Sequence, residues 1–402
     1  MSDTPRFDFD NPPDRRGTGS FKWDRYGKRD VIPLWVADMD FQSPPEVVAA
    51  LHERVAHGVY GYTHATDELE AAVVASLAKD YSWDVPIPWL MWLPGLVSGL
   101  NVVCRAVGEP GDEVATFVPI YPPFLTAPEH ADRTAVRVPL VRSAPGRAGS
   151  EDGAPSGVSA TDRWEMDLDL FEASLTPRTR LLLLCSPHNP VGRVWSQTEL
   201  EALADTALRH HLVICSDEVH SGLVLDGDKR HIPIATLGQE VARRTITLMA
   251  PSKTFNVPGL GCSFAVISDR ALRRDVSRAM EGIVPHVNLF GYVAAQAAYE
   301  RGGPWLSALL AYLGGNRDLV EREIGTLPGL SVAHVEATYL AWIDARSSGL
   351  KDPAKDFEKA GVGLSDGAEF GAPGFVRLNF GCSRSLLAEG LARMRGALQP
   401  TR

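Results

Sequence analysis

Hydrophobic and polar positions along the chain fall into two rhythms. Unbroken apolar runs at residues 89–93, 113–118, 180–185, 212–215, 245–250 and 262–267 predict short buried strands. Between them, apolar positions recur every three or four residues, the rhythm of a helix with one buried face. Asp67–Tyr81 carries it clearly, with Leu69, Val73, Leu77 and Tyr81 four apart. Further helices are predicted from Pro44 to about residue 56 and at 96–107, 169–175 and 198–210, with Ser43 and Thr198 as the expected N-caps of the first and last. Strands alternating with helices imply a largely parallel sheet with helices on both of its faces.

Beyond residue 269 the rhythm changes. Helices are predicted at 271–278, 291–300 and 304–324, strands at 330–333, 339–343 and 375–380, and a closing helix at 386–398. This stretch reads as a separate α+β lobe. The expected organisation is an irregular arm with part of the small domain at 1–45, a large domain at 46–285 and a small domain at 286–402. Residues 142–161, rich in Gly, Ala, Ser and Pro, read as a flexible surface insertion.

Composition narrows the class. A chain of 402 residues with 45% apolar and 22% charged positions has ample core for one large or two ordinary domains. The net charge of −10 and the lack of a dense Lys/Arg run argue against a nucleic-acid or anionic-membrane partner. Cys104, Cys185, Cys215, Cys262 and Cys382 are far apart, and no CxxC or Cys/His metal spacing occurs. They are expected to be buried free thiols in a reducing compartment. The polar N-terminus MSDTPRFDFDNPPDRRG is no signal peptide, and no apolar run nears the roughly 20 residues of a membrane span. A cytoplasmic location follows as an expectation.

The candidate chemistry lies where strands stop. In a parallel sheet, ligands gather at the carboxyl ends of the strands. Three successive ends here carry unusual polar residues: Asn189 in SPHNPVGR, Asp217 in SDEVHSGL and Lys253 in APSKTFNVPGLG. Taken singly, each has an ordinary reading: Lys253 as a surface lysine, Asp217 as a turn or cap, Asn189 as a turn former before Pro190. Together they suit pyridoxal phosphate. A partly desolvated lysine has a lowered pKa and attacks carbonyls. A carboxylate keeps the pyridine nitrogen protonated, and an amide reaches the ring 3-oxygen. Pro94-Gly95 before a helix points free N–H groups at an anion.

In this order and spacing the three motifs resemble the fold-type-I pyridoxal-phosphate enzymes, the aspartate-aminotransferase-like fold. FKWDRYGKRDVIPLWVADMDF, VYGYT, LPGLVSGL, PWLSALLAYLGGNRDL, ATYLAWIDAR and FVRLNFGCSR narrow the resemblance. They are similar to the cystathionine β-lyase/cysteine-conjugate C–S lyase branch, which has a maltose-regulon-modulator-like member. The likeness covers nearly the whole chain except 142–161. It implies a large domain with a mixed, mostly parallel sheet plus a smaller α+β domain, and the cofactor pyridoxal 5'-phosphate. It further implies that Lys253 forms the Schiff base and shuttles the proton, and that Asp217 pairs with the pyridinium nitrogen. Asn189 contacts the 3-oxygen, His220 lies near the same edge, and Tyr121 stacks on the ring. Backbone at Gly95, Leu96 and Val97 and the Ser252 hydroxyl hold the phosphate. Tyr62 reaches it from the neighbouring subunit of a homodimer. Arg377 binds the α-carboxylate of a small amino-acid substrate, helped by backbone at Ala37.

One departure bears on the reaction. Many aminotransferases of this fold carry a phosphate-binding arginine eight residues after the lysine, where this chain has Gly261. That tilts the expectation toward β-elimination from cystathionine or another S-substituted cysteine. The alternatives are transamination and a β-lyase dedicated to a larger S-cysteinyl conjugate in sulfur natural-product biosynthesis.

Overall fold

The computed structural model describes residues 7–143 and 162–398. Its centre is a seven-stranded sheet. In spatial order the strands are Leu90–Leu93, Ser263–Ile267, Thr245–Met249, Val213–Asp217, Thr179–Cys185, Glu113–Val118 and Thr134–Pro139. Only Ser263–Ile267 runs against the rest, pairing antiparallel with both neighbours. The other pairings are parallel, as the alternating pattern predicts.

Burial on both faces explains the unbroken apolar runs. In Thr179–Cys185, Leu181, Leu183 and Cys185 enter one core and Leu182 and Leu184 the opposite one. Period-two alternation thus leaves no polar face to interrupt the run. Helices cover both sides. Helix Gln197–Arg209 starts from a capping box in which Ser196 accepts from Glu199 N–H and Glu199 reaches back to Ser196. That corrects the expected cap at Thr198: Glu201 stands three residues after it too, but Ser196 is the extended residue (φ −70, ψ 161) just before the helix and Thr198 already lies inside it. Ser43 is likewise not a cap. The first helix is Pro45–His57, and the Ser43 hydroxyl donates instead to Asn256 O at 2.9 Å.

Pattern reading also misses elements. Strand Thr134–Pro139 lies at the sheet edge with exposed residues along it, so no apolar run marks it. Helix Pro123–Glu129 carries two prolines and reads as a loop. Residues 144–161 of the expected insertion lie outside the described residues. Its first two residues belong to strand Val141–Ser143, which pairs antiparallel with Arg163–Glu165.

A second, four-stranded antiparallel sheet has the order Ser331–Val332, Leu340–Asp344, Phe375–Asn379, Ser365–Asp366. It shares a core with helices Gly303–Ile324 and Arg384–Ala397. The N-terminal arm joins that core through Phe9, whose ring meets Phe41, Trp305 and Tyr312 at centroid distances of 5.0, 5.9 and 5.3 Å. From there residues 35–41 cross to the carboxyl ends of the large sheet without regular secondary structure. All five cysteines are buried and free. Among the described residues, no helix is long and apolar enough to cross a membrane.

Candidate active site

Neighbouring strands deliver the three polar residues to one cleft. Asp217 ends its strand in register with Cys185 and Leu248. Lys253 follows its strand by four residues and Asn189 follows its own by four. Together with His220 and Tyr121 they line a cavity of about 290 Å³. Gly95, Leu96, Val97 and Ser252 form one end of it, and Ala37 and Arg377 face them from the arm and the small sheet. Of the predicted site residues, only Tyr62 is not brought there. Its side chain is wholly exposed, in a segment where Val59 and Tyr60 are exposed as well.

Burial governs the charges. It lowers the Lys253 amine to about 8; Arg377 adds to that, against Asp38 and Asp217, which pull the other way. Burial raises the Asp217 carboxyl to about 7, despite a hydrogen bond from Val219 N–H (3.1 Å) and the nearby Lys253. Each group is thus pushed toward its neutral form. The Lys253 amine donates to Ala37 O at 2.6 Å. Burial, then Lys253 and Arg377, lower His220 to about 3, so its ring is neutral, and its Nδ1 is buried without a partner.

Among the described residues Arg377 forms no salt bridge, and Glu369 acts on it only as a weaker Coulombic neighbour. Its NH1 donates to Asn189 Oδ1 (3.1 Å) and its NH2 to Trp35 O (2.9 Å), while Nε is buried with no partner. Its guanidinium lies 4.7 Å from the Phe370 ring centroid, and burial lowers its pKa to about 10. A buried cation without a bonded counter-charge is costly, and a substrate carboxylate is the complement that offsets the cost.

The opposite end suits a dianion. Helix Leu96–Ala106 begins here with Gly95 as its cap, and no side chain caps it, so its first N–H groups are free. Ser98, Ser252 and Ser263 line the same end. Gly261 sits in the left-handed region at φ +59, and a Cβ there would lie 3.1 Å from Pro94 O. Backbone geometry therefore disfavours any side chain at 261, an arginine included.

These features fit pyridoxal phosphate. Free helix N–H groups and hydroxyls match a phosphate. A buried carboxyl at the other end of the cavity lacks the cationic partner that a ring nitrogen would be. A desolvated amine lies between them. Among the described residues no His/Cys/Asp/Glu group could hold a metal. A larger cavity of about 570 Å³, behind the lysine loop, holds neither Lys253 nor Asp217.

Sequence reasoning did not single out several residues the cleft uses. Ser98, Ser263, Val36 and Cys185 line it. Asn256 and Asn379 hold the crossing segment 35–41 by its backbone. Asn256 lies within the lysine motif, which was a usable signal. Asn379 follows Arg377 by two along a strand and therefore points to the same face.

The sequence profile of aminotransferases class I and II matches residues 29–394. Cystathionine beta-lyase PatB of Bacillus subtilis (strain 168) is 37% identical over 401 residues, covering 97% of this chain and 99% of its own. The crystal structure of OvoB superposes with a TM-score of 0.91 at 44% identity, over 98% of this chain and 100% of that one. A pyridoxal-phosphate-bound C–S lyase from Staphylococcus hominis gives 0.87 at 30% identity, over 98% of both chains. The chain belongs to the class I and II aminotransferase family and, within it, to the fold-type-I branch of cystathionine β-lyases and C–S lyases.

Proposed function

We propose that this protein is a pyridoxal-phosphate-dependent carbon–sulfur lyase acting on cystathionine or another S-substituted cysteine. Thioether and water become a thiol, pyruvate and ammonia. The observation that carries the reading is the desolvated Lys253 amine, 2.6 Å from Ala37 O, in one cavity with Asp217 and Arg377. The likeness to cystathionine β-lyase and C–S lyase relatives supports elimination over transfer.

When bound, pyridoxal phosphate supplies the electron sink for the charge that develops at Cα. The protein supplies the rest. Arg377 anchors the α-carboxylate through its fork, which fixes the Cα–H direction. Lys253 Nζ, neutral above about pH 8, takes the Cα proton. Asp217 would pair with the ring nitrogen and keep it protonated, His220 and Asn189 would lie toward the ring 3-oxygen, and Tyr121 would stack on the ring. Gly95, Leu96, Val97 and Ser252 would hold the phosphate. With the charge at Cα stabilised, the Cα electrons form a double bond to Cβ and expel the thiolate; the released aminoacrylate hydrolyses to pyruvate and ammonia.

The fully exposed Tyr62 belongs to this proposal as a residue given to the phosphate of a second copy, which makes the working unit a homodimer. Exposed Val55, Val59 and Tyr60 on the same segment support an interface there.

The direct test is pyruvate release from a panel of cystathionine, cystine and bulkier S-conjugates. Lys253→Ala should lose both the release and the visible absorbance of the lysine-linked cofactor. Pyruvate formation surviving that substitution overturns the assignment. Amine transfer to an added keto acid without pyruvate release would replace it with transamination.

A further inference from the structure

Residues 35–41 form one wall of the cleft, yet they pair with no strand and belong to no helix. Buried backbone groups need partners, and here side chains provide most of them. Trp35 O accepts from Arg377. Val36 O and Asp38 O accept from Asn379 Nδ2 at 2.6 and 2.7 Å. Met39 O and Phe41 O accept from Asn256 Nδ2 at 3.0 and 2.7 Å, and Asn256 Oδ1 accepts from Met39 N–H at 3.0 Å. Asp40 N–H donates to Gly381 O at 2.9 Å. Ala37 O accepts from Lys253 Nζ at 2.6 Å and from the Tyr339 hydroxyl at 3.0 Å.

Asn256 differs from the other holders because it lies on the lysine loop itself, three residues after Lys253. Its backbone is left-handed at φ 54, a conformation Asn tolerates better than most residues. That conformation turns the amide back toward the wall. The amide has one acceptor and two N–H donors, and it uses all of them on residues 39 and 41. The loop carrying the amine and the wall carrying its acceptor are therefore tied together at a second point.

We propose that Asn256 is a positioning residue. It locks the 35–41 wall to the lysine loop so that Ala37 O receives the Lys253 amine whenever that amine is free. The proposal rests on the lyase reading only in giving the free amine a task at Cα. A carbonyl that accepts from an ammonium favours the charged form, so losing the alignment lowers the amine's pKa further. Asp38, Asp217, Arg377, His220 and the Tyr339 hydroxyl also face the amine. Asp38 rides on the wall and raises the amine's pKa, so its displacement acts in the same direction as losing Ala37 O, and the other four lie outside the wall.

Two substitutions separate alignment from simple destabilisation. Asn256→Gly removes the three contacts while leaving φ 54 unstrained. Asn256→Ser adds no charge and keeps one hydroxyl, too few donors for the two wall carbonyls. The full chain, stripped of pyridoxal phosphate, is reductively methylated across a pH series, and the Lys253 peptide is quantified by mass spectrometry. The expected result is a midpoint moved down by about half a pH unit or more in both variants. In the loaded enzyme kcat should fall on the order of tenfold, with KM within about twofold, because Arg377 is untouched. An unchanged Lys253 midpoint in both variants overturns the proposal, whatever happens to kcat. The titration needs no lyase activity, so a failed elimination assay would sink the lyase reading and leave this result standing.

Discussion

Lys253 and Asp217 show what burial does to a lone charge: it pushes the amine down to about 8 and the carboxyl up to about 7. His334 shows the reverse. Its Nδ1 meets Glu321 Oε2 at 3.1 Å and its Nε2 meets Asp226 Oδ2 at 3.0 Å, with Arg317 on the far side of Asp226. The bond to Glu321, then the Coulombic attraction of both acids, hold its pKa near 9 against burial. The folded value lies above the unfolded one, so the contribution is complete below about pH 6.5 and is lost as pH rises through about 9. His334→Ala should therefore cost stability at pH 6, on the order of 1 kcal/mol because solvent screens the partly exposed ring. The cost should vanish by about pH 10. Urea unfolding at the two pH values checks this, and an equal loss at both would refute it. Lys253, Asp217 and Asn189 were legible in the sequence because each follows a readable strand. His334 was not, because its partners come from distant segments and no local pattern joins them.

Elements were legible to the extent that burial was uniform. Strands buried on both faces announce themselves as apolar runs, and the order of the motifs then places the cleft. Edge strand Thr134–Pro139 and the proline-bearing helix Pro123–Glu129 lack such a signal. Helix starts were read one step too coarsely. Ser196 caps because its hydroxyl and Glu199 satisfy each other's backbone N–H groups, and Glu199 also pairs with the buried Arg193 at 2.9 Å. Ser196→Ala should destabilise the protein by about 1 kcal/mol, while Thr198→Ala should fall within about 0.5 kcal/mol of the parent. Thermal unfolding of the two variants side by side distinguishes the caps. Equal losses would mean that the box contributes nothing.

At the scale of the whole molecule, one chain brings together every predicted site residue except Tyr62. If Tyr62 completes the phosphate site of a second copy, Tyr62→Ala should weaken retention of pyridoxal phosphate on dialysis by roughly tenfold or more, with the oligomeric state intact. Sedimentation and absorbance read the two quantities separately. Unchanged retention in an intact dimer would remove Tyr62 from the site. The large sheet and the motifs on it were legible because they are local. The crossing wall was not, since its partners lie far along the chain. Ala37 meets Lys253 across 216 residues and Tyr339 across 302; Trp35 meets Arg377 across 342 and Val36 meets Asn379 across 343. These separations impose an order on synthesis. The wall is made well before the side chains that hold it: Lys253 and Asn256 follow about two hundred residues later, and Arg377 and Asn379 later still. A nascent chain can bury the core of its large sheet with the wall still undocked. Competence therefore waits on Asn379, and a chain truncated before it keeps its lysine but lacks the grip that seats the wall beside it.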